Sequence, residues 1–148
     1  MDIEQLRSEI EADEGNIPEI YLDHLKLPTF GIGHLVKKTD PENGMPVGTP
    51  VSRKRINSCF DSDIQGTIED CEKLYKDFFK LPEEVKLILC NMMYNLGYTR
   101  LSKFSKLKKA VNENNWEEAS LQMHQSKWRT QVPNRAERLI NRMKAVGA

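Results

Sequence analysis

Between residues 52 and 77, apolar side chains return every three or four positions, at Ile56, Phe60, Ile64, Ile68, Cys71 and Tyr75. This spacing predicts one long amphipathic helix with Ser52 as its N-cap. Everything after it is also helical in pattern. Leu81-Pro82-Glu83-Glu84 opens a helix that runs through Leu96 and stops at Gly97, and further helices are expected near 103–113, 116–126 and, after Pro133, 134–146. Residues 85–96 are apolar nearly all round, the mark of a central helix on which others pack. The chain before Ser52 has a different character. Ile3, Leu6 and Ile10 keep helical spacing up to Gly15, which predicts a short first helix over 3–14. Residues 17–35 carry Tyr, Phe, Ile and Thr around a break at 23–28, a hairpin pattern. The stretch TDPENGMPVGTP, residues 39–50, holds three prolines and two glycines and reads as loop or edge strand. The expected fold class is α+β and mostly helical. A small β-hairpin lobe with the first helix occupies 1–51, and the long helix joins it to a helical lobe within 52–148. One domain with a cleft between the lobes is expected to hold the binding site.

Composition narrows the classes. Apolar residues make up 39% and charged residues 30% of the 148, with 8 Gly and 7 Pro, a balance that excludes disordered, collagen-like and disulfide-scaffold chains. No apolar run exceeds four residues, at 87–90, so no membrane span is expected. The opening MDIEQLRSEIEADE is acidic where a secretory signal is basic and then apolar, which predicts synthesis in the cytoplasm. Cys59 and Cys71 fall on the same expected helix, about 18 Å apart at the usual rise, beyond disulfide reach. With Cys90 they are expected as reduced, buried thiols. The net charge of zero hides an uneven distribution: residues 1–74 carry 8 Lys and Arg against 15 Asp and Glu, and residues 75–148 carry 14 against 7. Either the basic half attracts an anionic polymer across from a carboxylate wall, or the asymmetry belongs only to solvated helix faces.

Two carboxylates stand out by their surroundings. Glu14 closes the first helix, where the helix dipole disfavours negative charge, and Asp23 lies nine residues on at the hairpin break, where backbone amides and water can hold it ionised. Acids in such unlike settings suit acid/base cleavage of a glycosidic bond. On a continuous strand from 29 to 35, alternation puts Thr29, Gly31 and Gly33 on one nearly bare face that a polymer backbone can approach, with Phe30 and Ile32 packing inward. Taken singly, acids at helix ends and in turns are commonly structural.

The order is more telling than the parts. Glu14, eight residues, Asp23, five residues, Thr29, and then Phe30-Gly31-Ile32-Gly33-His34 resembles the active-site signature of the phage-type lysozymes, the endolysins of tailed bacteriophages in glycoside hydrolase family 24. The resemblance extends through NMMYNLG (91–97), Phe104 and Trp116 twelve residues apart, WEEA (116–119) and SKWRTQVPNRAERL (126–139). It implies a monomeric lysozyme that hydrolyses the β-1,4 bond between N-acetylmuramic acid and N-acetylglucosamine in bacterial peptidoglycan. Glu14 would be the general acid, Asp23 the base or charge stabiliser for an attacking water, and Thr29 the hydroxyl that aims it, with an inverted product. Arg135 matches the family's arginine that faces the catalytic glutamate; without the family match it reads equally as a surface cation. Leu35, Tyr94 and Gln122 fall where the family lines its saccharide path. Tyr94 and Gln122 replace a different aromatic and a different amide, and Leu107 stands where a serine is usual. Asn95 and Trp128 are expected to pack and hydrogen-bond on the floor of that path, with a plain core role for Trp128 as the alternative. His34 takes a structural part with Asp63. With no export signal, the family relies on a separate membrane pore to reach the wall.

No His, Cys or Asp set has metal-ligand spacing and no phosphate-cradling loop occurs, so neither metal nor nucleotide cofactor is expected. Lys103, Lys106, Lys108 and Lys109 lack interleaved aromatics in a net-neutral chain, which argues against nucleic acid. Two rival classes remain: a silent peptidoglycan-binding module, against which the intact Glu14, Asp23 and Thr29 set argues, and a helical interaction protein.

Overall fold

A computed structural model describes residues 1–148. The elements in chain order are α1 (Ile3–Glu14), β1 (Ile17–Leu22), β2 (Pro28–Gly31), β3 (His34–Leu35), α2 (Arg53–Leu74), a 3-10 turn (Phe78–Lys80), α3 (Glu83–Leu96), α4 (Tyr98–Leu101), α5 (Ser105–Asn112), α6 (Trp116–His124), α7 (Lys127–Gln131) and α8 (Pro133–Val146). This is the α+β, mostly helical class read from the sequence. The chain divides into two compact units, Arg7–Gly66 and the pair Met1–Leu6 with Thr67–Ala148. No helix is long and apolar enough to cross a membrane.

The helix ends follow from their caps. Ser52 Oγ accepts a hydrogen bond from the Arg55 amide at 3.1 Å, so α2 starts where the N-cap predicts. α1 stops because Gly15 adopts a left-handed φ of 79° and its amide donates to Glu11 O at 2.8 Å. Gly97 does the same for α3. The helix expected over 116–126 breaks at Gln125, because the Ser126 hydroxyl accepts from the Arg129 amide and caps a new short helix, α7. That helix and α4 have five and four residues, too few for a periodic pattern.

In the unit Arg7–Gly66, β1, β2 and β3 form an antiparallel sheet in sequence order. Its core holds Ile10, Ile20, Phe30, Ile32, Ile56, Phe60 and Ile64. The Arg7 guanidinium stacks over the Phe60 ring, 4.7 Å from its centroid, and pairs with Asp61. Residues 39–50 return as loop and then as a one-residue edge bridge, Pro50 against Glu19. The single strand expected over 29–35 does not form. Gly31 and Gly33 adopt φ of 63° and 66°, so the chain reverses at Ile32 and Gly33 and splits the segment into β2 and β3. Phe30 and Ile32 are buried as expected, but the two glycines do not make an open face.

In the helical unit, α3 buries nine consecutive residues, 85–93, which makes it the central helix that its composition predicts. It packs on α8, which also receives α6 and α7, while α5 packs on α6. Cys59, Cys71 and Cys90 are all free and buried. A hydrogen bond to Cys90 and burial together push the Cys71 thiol far above its usual pKa. Near them the Tyr75 hydroxyl is buried without a hydrogen-bond partner.

A polar network ties the loop after β3 to α2. His34 Nδ1 lies 2.7 Å from Asp63 Oδ2 and Nε2 lies 2.9 Å from Asp40 Oδ2. Asp40 also accepts from the Lys37 amide at 2.8 Å and from Arg55 Nη2 at 3.1 Å, and Arg55 makes two further bonds to Glu42. Burial opposes the imidazolium, but the hydrogen bonds and charges of Asp63 and Asp40 overcome it and raise the His34 pKa above 6.5. Asp40 and Glu42 are shifted the other way: burial of Asp40 is outweighed by its bonds to Lys37, His34 and Arg55, and the bond to Arg55 lowers Glu42. The histidine contribution is therefore complete below pH 6.5 and lost as pH rises through the raised value. The carboxylate contributions are present above pH 4.5 and lost on acidification through the lowered values. His34→Gln is expected to lower stability by at least about 1 kcal/mol near pH 6. The difference in melting temperature from wild type should be widest between pH 4.5 and 6.5 and narrow on either side; a gap that is flat with pH would show that the histidine carries no charge in the folded protein.

Candidate active site

Glu14 is the last helical residue of α1, and its position is fixed by what the chain opposite leaves out. A Cβ built on Gly33 would stand 2.5 Å from Glu14 Oε1 and 3.1 Å from Cδ. Gly33 is thus doubly constrained, by a left-handed backbone and by a carboxylate in the volume a side chain would need. Gly31 is filled in the same way by Ile56, whose Cγ2 lies 2.8 Å from the would-be Cβ. The glycines of FGIGH therefore admit Glu14 and Ile56, where the alternating pattern suggested room for a polymer.

Asp23 sits at the start of the turn between β1 and β2. Its Oδ1 accepts from the amides of Leu25 at 2.8 Å and Leu27 at 2.9 Å, an arrangement that fixes the side chain as an Asx turn does. The turn closes further through Lys26 N to Asp23 O at 2.8 Å, with Lys26 at φ 63°. Both amides donate to one oxygen, so the turn spares Oδ2.

Thr29 is buried on β2, and its hydroxyl donates to Leu27 O at 3.0 Å. With the proton so committed, the oxygen can act only as an acceptor toward a water. In the sheet register Thr29 pairs with Tyr21 on β1 and with Leu35 on β3. Directly paired residues of antiparallel strands project to the same face, so Tyr21, Thr29 and Leu35 form one row, ending in Leu35 at 47% exposure. Burial raises the Tyr21 phenol pKa above 10.0, and the negative charges of Glu14 and then Asp23 raise it further. Both carboxylates therefore lie close enough to act on one half-buried ring. Tyr21 was absent from the sequence-derived set; the available signal was its place two residues before Asp23 on an alternating strand.

His34 is held by Asp63, as the family resemblance implies, and by Asp40, which it did not reveal. Both ring nitrogens are occupied, so the histidine is a brace.

The remaining candidates belong to the helical unit. Trp128 is buried and its Nε1 donates to Asn95 Oδ1 at 2.8 Å, which leaves the Asn95 amide nitrogen facing away from the indole. Tyr94, one residue earlier on α3, is half-buried. Gln122 Nε2 donates to Glu118 Oε1 at 2.8 Å, one turn back on α6. Gln122 also lines a cavity of about 530 Å³ with Leu96, Phe104, Lys106, Leu107 and Trp128. Arg135 is no surface cation: it is buried at 8% exposure and its Nε donates to Asn91 Oδ1 at 2.8 Å.

The chain is similar to known proteins over almost its whole length. The phage lysozyme family pattern matches residues 11–145. The chain is 30% identical to "Probable T4-type lysozyme 2" of Dictyostelium discoideum, over 94% of this chain and 93% of that protein. It is 26% identical to "Peptidoglycan hydrolase gp36" of Pseudomonas phage phiKMV, over 78% of this chain but 12% of that much longer protein. It is 24% identical to "Pre-baseplate central spike protein Gp5" of Enterobacteria phage T4, over 88% of this chain and 26% of that protein.

The glycine geometry makes a paired prediction. Gly33→Ala should lose about 1–2 kcal/mol through its left-handed backbone and, in a crystal structure of the variant, show the Glu14 carboxylate displaced. Gly15→Ala has the same kind of φ, 79°, with nothing within 4 Å of its Cβ. It should lose stability in urea titration but leave Glu14 where it is.

Proposed function

Because the chain belongs to the phage lysozyme family and is a glycoside hydrolase, we propose that it cleaves the β-1,4 bond between N-acetylmuramic acid and N-acetylglucosamine in peptidoglycan. In this reading the whole chain, 1–148, is a single lysozyme domain. Glu14 protonates the leaving oxygen. Asp23 Oδ2 and the Thr29 hydroxyl oxygen each accept a hydrogen from one water, which turns a lone pair of that water toward the anomeric carbon. As the glycosidic bond breaks, the water proton passes to Asp23 and the new sugar hydroxyl has the inverted configuration. The observation that carries this reading is the seat of Glu14 against Gly33 in the same small unit as an amide-bound Asp23 and a Thr29 whose own proton is already donated.

Leu35, Tyr94, Asn95, Gln122 and Arg135 are proposed to contact the saccharide. The exposure of Leu35 beside Thr29 and the cavity around Gln122 support this assignment. The "Peptidoglycan hydrolase" name of the phiKMV relative supports peptidoglycan as the substrate. A monomer that reaches the wall through a separate membrane pore completes the proposal.

Glu14→Gln keeps the shape of the side chain and cannot donate the proton. It is expected to lower lysis of bacterial walls, followed by turbidity, at least about 10²- to 10⁴-fold with an unchanged circular dichroism spectrum. Full lysis by the folded variant would remove Glu14 from the mechanism and leave a binding module or an interaction protein as the better reading. Thr29→Ser keeps an acceptor oxygen and should retain more activity than Thr29→Val. NMR of the first product should give the α anomer; a β product or a glycosyl adduct on Asp23 would make Asp23 a nucleophile and end the water-aiming role of Thr29.

A further inference from the structure

The helical unit carries two hollows of nearly equal size and opposite charge. One, of about 530 Å³, is floored by Phe104, Leu107 and Trp128 and rimmed by the exposed side chains of Arg100, Lys103, Lys106 and Lys127, with no carboxylate in its lining. The other, of about 560 Å³ along α6 and α8, is lined by Glu117, Glu118 and Glu137 against His124 and Lys144. Residues 75–148 hold 14 Lys and Arg against 7 Asp and Glu, and part of that excess thus collects at one mouth. Ion pairs in this unit engage Lys86, Arg129 and Arg142, and none engages the four cations of the rim. The lysine run noted in the sequence divides here: Lys103 and Lys106 line the hollow, whereas Lys108 and Lys109 do not.

We propose that Arg100, Lys103, Lys106 and Lys127 determine specificity by reading the free carboxylates of the stem peptide that branches from N-acetylmuramic acid, so that a stem with amidated acids is a poorer substrate; the proposal rests on the peptidoglycan reading given above. The stem hangs from the sugar by a lactyl ether and combines small apolar residues with acidic ones. It therefore brings methyl and methylene groups for the floor and carboxylates for the rim. Gln122, assigned above to the saccharide, lines the same cavity, so a saccharide held there has its branch within reach of the rim. A phosphodiester polymer would satisfy the charge but offers little to Phe104 and Trp128. Each exposed ion pair is weak, but several cations around one mouth raise the local concentration of an anion together. These charges take no part in breaking the bond, so they act on binding more than on turnover.

The test compares two soluble, uncross-linked peptidoglycans that differ only in whether the glutamyl α-carboxyl of the stem is free or amidated. The wild type is expected to show a kcat/KM about 3- to 10-fold higher on the free acid, carried by KM. That ratio should shrink as salt rises from about 0.1 M, where the Debye length is about 10 Å, to about 1 M, where it is about 3 Å. The double variant Lys103→Gln/Lys106→Gln should bring the ratio toward one. Lys108→Gln/Lys109→Gln removes the same charge from the same segment but away from the cavity, and should keep it. Equal kcat/KM of the wild type on both substrates, or an equal loss of the ratio in both double variants, would overturn the proposal. A second readout needs no turnover. In NMR titrations of the wild type with the isolated stem tripeptide, the backbone amide signals of residues 103–107 should move further with the free-acid peptide than with the amidated one. Those of Glu117 and Glu118, at the acidic hollow, should stay. Absent or equal shifts at 103–107 end the proposal, as does a larger response there to poly(glycerol phosphate). If the free-acid peptide moves these signals but neither peptidoglycan is cleaved, the peptidoglycan reading fails while the charge-selective peptide site stands.

Discussion

The site depends on one close approach, the Glu14 carboxylate lying in the volume that any side chain at position 33 would occupy. A helix C-terminus is a poor place for a negative group, and a carboxylate there needs a reason to be held in place. Two glycines in left-handed conformation supply it by reversing the chain between β2 and β3, which brings bare backbone against the end of α1. Thr29, Leu35 and Tyr21 then take their places as consequences of strand register. The acid, the row of side chains and the turn that carries Asp23 are all set by backbone geometry within one unit.

The buried histidine network complements this arrangement. His34 follows Gly33 directly, and Asp63 on α2 and Asp40 in the loop hold its ring from both sides. The two carboxylates around the histidine share one network with Arg55, which binds Asp40 and whose planar fork also binds Glu42. The cluster fixes the segment that turns at Gly33, so the conformation of the glycine does not have to be maintained by its own preferences alone. Backbone strain of this kind persists where the surroundings over-determine it.

The sequence made some of this legible and hid the rest for physical reasons. Both ends of α1 and the start of α2 can be read to within a residue, because a cap marks them, Gly15 in one case and Ser52 in the other, whereas α2 ends at Leu74, short of the residue 77 to which the apolar spacing points. The apolar circumference of α3 likewise announces its burial. The segment 29–35 misleads because alternation presumes an extended backbone, and a glycine's freedom to adopt positive φ leaves no mark on the apolar pattern. Helices as short as α4 and α7 depend on local caps and tertiary contacts. Glu14, Asp23 and Thr29 were visible as a spaced set, whereas Tyr21 and Asp40 acquire their importance only from register and from a loop that folds back, neither of which sequence distance encodes.

The division of the chain at Leu6, Gly66 and Thr67 has a consequence for descent. Every group proposed for bond cleavage, the glycine that admits Glu14 and the whole histidine cluster lie in Arg7–Gly66. Tyr94, Leu107 and Gln122, the positions at which the resemblance read from the sequence is imperfect, all lie in the helical unit, where Leu107 and Gln122 line one cavity. Substitutions in the helical unit can thus reline this cavity without touching the groups proposed for bond cleavage. A lineage that meets a new cell wall can try new linings without reopening the problem of how to break the bond.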